Sequence, residues 1–296
     1  MQTQIVLHHY PASPFAEKIR LFLGYKGARW QSVEIPMMMP KPKLMPLTGG
    51  YRKTPVMQIG ADIYCDTALI LDELHRRLPD PLLLHEASLS DLTLAAFADS
   101  TLFSAAVSWA FQPAAMADFF HGKGEAFVHA FLADRKAFRA GSSAQRPSLG
   151  QAKDRLAMAL AGLENQLGDC RSFVWGASPS RADFCLFHPL WFIQQAKSVA
   201  FLLDDYPQVG LWLERMSHFG HGKPESIFSA PHSNSTSPAM YWPTSICRAP
   251  ARQRQQQQQQ QQQERVRSPT ATATSPAPSL GQLVAAEAAR LRQQAA

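Results

Sequence analysis

The short apolar run Ile5-Val6-Leu7 is soon followed by Ser13-Pro14-Phe15-Ala16 and then by a helical pattern through Leu23. This abrupt switch from strand to helix constrains the fold more than any other stretch. The start of a helix presents unpaired N–H groups and a partial positive charge. Such a site binds anions and lowers the pKa of a thiol held against it. Pro14 suits the first helical position, where its missing N–H costs nothing. Taken alone, the tetrapeptide is an ordinary helix start with Ser13 as its N-cap.

The next stretch changes that weighting. Tyr51-Arg52-Lys53-Thr54-Pro55-Val56-Met57-Gln58-Ile59-Gly60 gives a basic pair, Thr-Pro and a short strand. Ala61-Asp62-Ile63-Tyr64-Cys65 reads as a second strand across a Gly-containing turn, and Asp66-Thr67 opens another helix. The order is strand, helix, strand, loop, proline, strand, hairpin, strand, helix.

With Ser-Pro-Phe-Ala, this order over roughly residues 4–80 resembles the thioredoxin-like N-terminal domain of the glutathione transferase superfamily, in its serine-type branches. The resemblance implies an α/β thioredoxin-like domain over 1–80 and an all-α helical domain over 86–224, assembled as a homodimer. It implies a transferase acting on glutathione and a hydrophobic electrophile, as in detoxification. The Ser13 hydroxyl would donate to the glutathione sulfur and stabilise its thiolate, without itself acting as a nucleophile. Pro55 is expected to be cis, beside Thr54, exposing the Val56 backbone for antiparallel pairing with the cysteinyl unit. Asp66 and Thr67 would hold the γ-glutamyl end. Lys53, and with it Lys41, would pair with the glycyl carboxylate. The electrophile pocket would lie between the domains, with Tyr10, Phe15, Phe103, Val107, Trp109 and Phe111 as its candidate lining. Tyr10 is also a second candidate thiol partner, slightly out of register with the tyrosine of tyrosine-type members.

Each group has a plainer reading beside the functional one. Asp66-Thr67 is also a helix cap, Arg52-Lys53 a solvated basic pair, and an aromatic stripe at helical spacing is commonly core. Where the family has an acid followed by serine, this chain has Asp66-Thr67, whose shorter acid and extra methyl loosen the fit. His8-His9 has no metal partner at sensible spacing, and no metal site is expected.

From Ser88 to Gly220 the pattern is almost wholly helical, with Leu156, Leu160, Leu163 and Leu167 on one side of a stretch running from Leu149 to Leu167. Ser180-Arg181-Ala182-Asp183 forms a capping-box pattern. It resembles the buried N-capping motif of the family's helical domain, so Ser180 and Asp183 are structural here and not catalytic. Two prolines, Pro79 and Pro81, end the helix begun at Asp66, and Leu82-Leu83-Leu84-His85 reads as a connector.

The net charge of +6 suggests a basic protein, but residues 1–225 hold 22 Lys and Arg against 21 Asp and Glu. The excess lies beyond them, so the folded part gives no electrostatic case for nucleic acid. After Lys223-Pro224, Ser, Thr, Pro and Ala dominate, and Gln255 to Gln263 is unbroken polyglutamine. Residues 225–296 therefore read as a low-complexity, disordered tail, with a transient helix between Leu280 and Gln294. Cys65, Cys170, Cys185 and Cys247 are widely spaced without CxxC, as expected of free thiols in a reducing compartment. No run of ~18–20 uncharged apolar residues suits a membrane span, and Met1-Gln2-Thr3-Gln4 has no signal-peptide pattern. These features favour the cytoplasm and no membrane partner.

Two alternatives stay open. The glutathione site could serve reduction or isomerisation, although serine at position 13 cannot form a mixed disulfide. Alternatively, the chain could be a non-catalytic binding or scaffold member of the same fold.

Overall fold

The computed structural model describes residues 4–78, 88–140 and 146–228. The expected connector at 82–85, Cys247 and the chain after Phe228 lie outside the described residues.

The N-terminal layer follows the predicted order. Strand β1 (Ile5–His9) leads to helix α1 (Pro14–Tyr25), β2 (Arg29–Glu34), the short α2 (Met45–Thr48), β3 (Val56–Ile59), β4 (Asp62–Cys65) and α3 (Thr67–Arg77). β1 pairs parallel to β2 and antiparallel to β3, which pairs antiparallel to β4. This is a thioredoxin-like α/β arrangement. Ser13 caps α1 with Pro14 at its first position, and Asp66 caps α3. Thr54–Pro55 is cis, as expected, and so is Met39–Pro40.

One boundary needs correction. Residues 225–228, assigned above to the disordered tail, belong to a fifth strand, β5 (Lys223–Phe228). It pairs parallel to β2, giving the sheet order β4-β3-β1-β2-β5. Composition hid it because Lys223-Pro224-Glu225-Ser226 lacks apolar alternation. Proline at an edge strand loses no ladder bond on its open side. The approach to β5 is tight. The Trp30 Nε1–H donates to the His221 carbonyl at 2.7 Å, and a Cβ added to Gly24 would meet the Gly220 carbonyl oxygen at 2.0 Å.

The second layer is all-helical: α4 (Leu89–Phe97), a π-helical turn (Ala98–Leu102), α5 (Phe103–Ala110), α6 (Pro113–Phe119), α7 (Glu125–Arg139), α8 (Leu149–Leu167), α9 (Arg181–Gln195), a 3₁₀ segment (Lys197–Leu203) and α10 (Pro207–Ser217). The continuous helix Leu89–Ala110 has the length and hydropathy to cross a membrane, but it packs against α8 and α9 and carries Asp91 and Asp99. α8 opens with a capping box between Ser148 and Gln151 and buries Leu156, Leu160, Leu163 and Leu167, as the spacing predicts.

Helix α9 is buried on all sides from Ala182 to Leu190, as befits a helix with apolar residues all round. Its start is held by two buried acids. Asp183 accepts from the Ser180 N–H and hydroxyl, both at 2.8 Å, and from Val174 N and Trp212 Nε1, both at 2.9 Å. Burial pushes the Asp183 carboxyl up, while these four bonds pull the other way. Asp91, which sequence reasoning passed over, accepts from Trp175 Nε1 at 2.9 Å and Ala182 N at 3.1 Å. One core cluster joins β1, α1 and α3 to the helical layer. A smaller one, of Ile35, Leu44, Val56, Ile63 and Cys65, lies with Tyr10, Val33, Leu47 and Tyr51.

Candidate functional site

The site is built around the turn between β1 and α1. The Ser13 N–H donates to the Tyr10 carbonyl at 3.1 Å, and the Ser13 Oγ accepts from Ala16 N at 3.2 Å. The oxygen satisfies one N–H of the helix end, and, against the upward push of burial, the same side chain holds the Tyr10 hydroxyl down. Ser13 itself is 2 % exposed.

Arg20, two turns of α1 further on, braces this turn. It donates to the Tyr10 carbonyl at 3.3 Å, the Pro11 carbonyl at 2.8 Å and His9 Nδ1 at 3.0 Å, and it pairs with Glu17. Glu17 in turn meets His221 Nε2 at 3.0 Å. His9 Nε2 lies 2.8 Å from the Ser32 hydroxyl, so the partners place the ring proton on Nε2. Burial, and then the Arg20 charge, pulls the His9 pKa down to about 3. His8 and His9 are therefore buried core histidines. Sequence reasoning missed Glu17 and Arg20, although an acid and a base three apart on a helix are natural partners.

The loop side differs from expectation in two places. Lys41 is buried and its ammonium is turned inward, donating to Thr54 Oγ1 at 2.9 Å and the Arg52 carbonyl at 3.1 Å. Burial, with the Arg135 and Arg52 charges, pulls its pKa down to about 8. It ties the loop to the cis-proline turn, whereas Lys53 is exposed. Val56 lies opposite His8 on one flank and Cys65 on the other. The expectation of an open Val56 edge is thus not met, because β3 has a neighbour on each side. Thr54, just before the proline, offers the nearest main-chain N–H ahead of the ladder.

Asp66 is exposed, with φ of 82°, and its Oδ1 accepts from Ala68 N at 2.8 Å. Thr67 is buried at the first position of α3. The Tyr51 hydroxyl meets the Asp66 backbone, and burial, with the Asp66 and Cys65 charges, pushes it up. Nothing in the sequence marked Tyr51 as more than a loop residue.

Of the aromatic candidates, the structure brings together Phe15 and Phe103, whose ring centroids lie 4.6 Å apart edge to face. Both meet the buried ring of His188, at 4.5 and 5.4 Å. Trp109 turns away: its Nε1–H donates to the Val199 carbonyl at 2.9 Å and its ring meets Phe201. It is core and not pocket lining. Phe111 meets Phe119, Phe131 and Phe192, the last of which also meets Phe103 at 6.5 Å, and Val107 packs against the main core.

Helix α7 reaches over the loop at 37–52. Asp134 pairs with Arg52 and accepts from Met39 N at 3.2 Å, while Arg135 donates to the Met37 carbonyl. Tyr10 is half-buried in this corner. Burial pushes its hydroxyl up, while Arg135, the Ser13 side chain and an Arg135 hydrogen bond hold it down. Among the described residues no cluster of three or more His, Cys, Asp or Glu side chains could hold a metal ion.

Comparison with known proteins agrees with this architecture. The family model described as "Glutathione S-transferase, N-terminal domain" matches residues 7–81, and "Glutathione S-transferase, C-terminal domain" matches 111–218. Among solved structures, a GST-like protein from Pseudomonas syringae is 40% identical, with a TM-score of 0.61, covering 80% of this chain and 79% of its own. A glutathione S-transferase from Rhodospirillum rubrum F11 (19% identical, TM-score 0.51, 72% and 87% covered) shares the fold. So does the beta-etherase LigF from Sphingobium sp. strain SYK-6 (16%, 0.52, 73% and 95%). A search of curated proteins returned no match.

Proposed function

The chain belongs to the glutathione S-transferase superfamily, and we propose that it is a serine-type glutathione transferase acting on a hydrophobic electrophile. The observation that supports this most is the state of Ser13. Its oxygen caps α1 through Ala16 N, which sets the hydroxyl at a helix N-terminus.

A free thiol has a pKa near ~8.5, so little thiolate is present at neutral pH. Lowering it by about two units stabilises the thiolate by roughly 2.7 kcal/mol. A hydroxyl donor together with the partial charge of a helix end is suited to that task. The thiolate then attacks the electrophilic carbon, and the leaving group departs with the displaced electron pair.

The other residues fit a peptide anion. The exposed Asp66 carboxylate suits an ammonium, and the first turn of α3 with Thr67 suits a carboxylate. Exposed Lys53 suits the second carboxylate, and the Thr54 main chain the central unit. Phe15 and Phe103 would form the apolar wall for the electrophile. The proposal includes a cytoplasmic homodimer.

Calorimetry with glutathione on the full chain, beside Ser13→Ala, tests the reading, with the bound thiol titrated by thiolate absorbance. The expected result is binding by both and a depressed thiol pKa only in the parent. Binding by the parent without turnover on a panel of electrophiles would favour a non-catalytic member. Absence of binding by the parent would overturn the proposal.

A further inference from the structure

The turn that carries Ser13 is held by a chain of side chains that ends on β5. The Tyr10 carbonyl accepts from the Ser13 N–H at 3.1 Å and also from the Arg20 guanidinium at 3.3 Å. The other terminal nitrogen of Arg20 donates to the Pro11 carbonyl at 2.8 Å. One Glu17 oxygen fixes Arg20 in turn, accepting from its Nε at 3.0 Å and from a terminal nitrogen at 2.5 Å. The second Glu17 oxygen meets His221 Nε2 at 3.0 Å, although the two residues lie 204 positions apart.

The main chain of His221 closes the circuit from the other side. Its carbonyl accepts from Trp30 Nε1 at 2.7 Å, and the Trp30 ring meets the His9 ring edge to face at 5.5 Å. His9 Nδ1 then accepts from Arg20 at 3.0 Å. Docking the strand does not need the side-chain bond, because the ladder to β2 and the Trp30 bond already hold it. Yet the half-exposed His221 ring reaches a buried carboxylate that is already paired with Arg20. Glu17 also donates its own N–H to the Ser13 carbonyl at 2.9 Å. The carboxylate that β5 reaches therefore belongs to a residue bonded to the Ser13 backbone itself.

We propose that β5 is a working part of the thiol site, with His221 as a positioning residue that holds Glu17 and Arg20 in the geometry that sets the Ser13 turn. The inference rests on the glutathione reading and deepens it. His221 acts through Glu17 and Arg20 and not on the thiol, and it makes or breaks no covalent bond. A hydroxyl stabilises a thiolate only when its distance and direction are fixed, because a hydrogen bond weakens steeply off line. Docking of β5 thereby sets how far the bound thiol is ionised, and the segment after the helical layer becomes a control point for the site.

Three variants of the full chain test this. His221→Leu loses the bond, whereas the amide nitrogen of His221→Gln can still donate to Glu17. Gly222→Ala leaves every side chain of the circuit in place, but its Cβ would meet the Ala28 carbonyl oxygen at 2.6 Å, so the strand must shift. The first readout is hydrogen exchange without ligand over residues 10–20. His221→Leu and Gly222→Ala should speed exchange of the Ser13 and Ala16 amides at least about threefold, and His221→Gln should stay near the parent. Unchanged exchange in either of the first two would overturn the coupling. The second readout is titration of the bound glutathione thiol, with S-methylglutathione affinity as the control. The thiolate fraction at neutral pH should fall about threefold in His221→Leu and Gly222→Ala and recover in His221→Gln, while S-methylglutathione affinity stays within about twofold. Faster exchange with an unshifted thiol would make His221 a structural contact and overturn the proposal. A parent that binds no glutathione would overturn the reading beneath it, whatever the exchange shows. Should Gly222→Ala fail to fold, the two His221 variants carry the same test.

Discussion

Lys18 donates to both carboxylate oxygens of Asp99, at 2.8 and 2.7 Å, although the two residues lie 81 positions apart. Lys18 is fully buried on α1 and Asp99 sits in the π-helical turn, so the pair crosses from the sheet layer to the helical one. The Cys185 sulfur lies 3.7 Å from the ammonium and His188 Nε2 lies 3.4 Å from the carboxylate.

Removing one member leaves the other charge buried without its counter-ion. Asp99→Asn or Lys18→Met should therefore each cost about 3–5 kcal/mol of stability. The double replacement Lys18→Met with Asp99→Leu should cost much less, since apolar groups of similar volume need no counter-charge. Urea denaturation of the three variants checks this. Equal losses in the single and double variants would contradict it.

Acid should destabilise the fold through its histidines. The folded pKa of His9 is about 3, below its ordinary 6.5, because burial and Arg20 disfavour the proton. Protonation therefore favours the unfolded chain, so the contribution is intact above pH 6.5 and is lost as pH falls toward 3. The slope for one such group is at most about 1.4 kcal/mol per pH unit. His8 and His188 are lowered in the same direction. Unfolding free energies at pH 7 and 5 should differ less in His9→Gln than in the parent.

Asp66 should separate cap from charge. Its Oδ1 accepts from Ala68 N, a bond that an asparagine side-chain oxygen can reproduce. Asp66→Asn should leave thermal stability within about 0.5 kcal/mol and weaken glutathione binding about tenfold through the lost ammonium partner. Affinity unchanged in calorimetry would remove Asp66 from the site.

Gly24 should tolerate nothing larger. A Cβ there would lie 2.0 Å from the Gly220 carbonyl oxygen, backbone against backbone, with no side chain free to swing aside. Gly24→Ala should cost about 3 kcal/mol or more by overpacking. A melting temperature equal to the parent's would refute the close approach.

What the sequence made legible was local. Ser13-Pro14, Asp66-Thr67 and Ser180 with Asp183 each signal a helix end within four residues, and all three helices begin there. The period of Leu156, Leu160, Leu163 and Leu167 likewise gave α8 its buried face. What stayed hidden depends on packing between distant segments. Arg52 and Asp134 are 82 residues apart, and nothing near either names the other. Trp109 looked like pocket lining because periodicity tells which side of a helix is apolar, not which neighbour it faces. Lys41 and Lys53 are alike as letters, yet one is buried and the other exposed. β5 was invisible because its pairing comes from β2 and the glycine-rich approach, not from its own side chains.

The return of the chain to β2 decides where anything attached after Phe228 begins. β5 and β4 occupy opposite margins of the sheet, and Asp66 follows directly on β4. A fluorophore, affinity handle or surface linker fused beyond Phe228 would therefore depart from the margin remote from the Asp66 end of the candidate site. Trimming into residues 223–228 for convenience would instead strip β2 of its neighbour and expose a raw sheet margin to other chains.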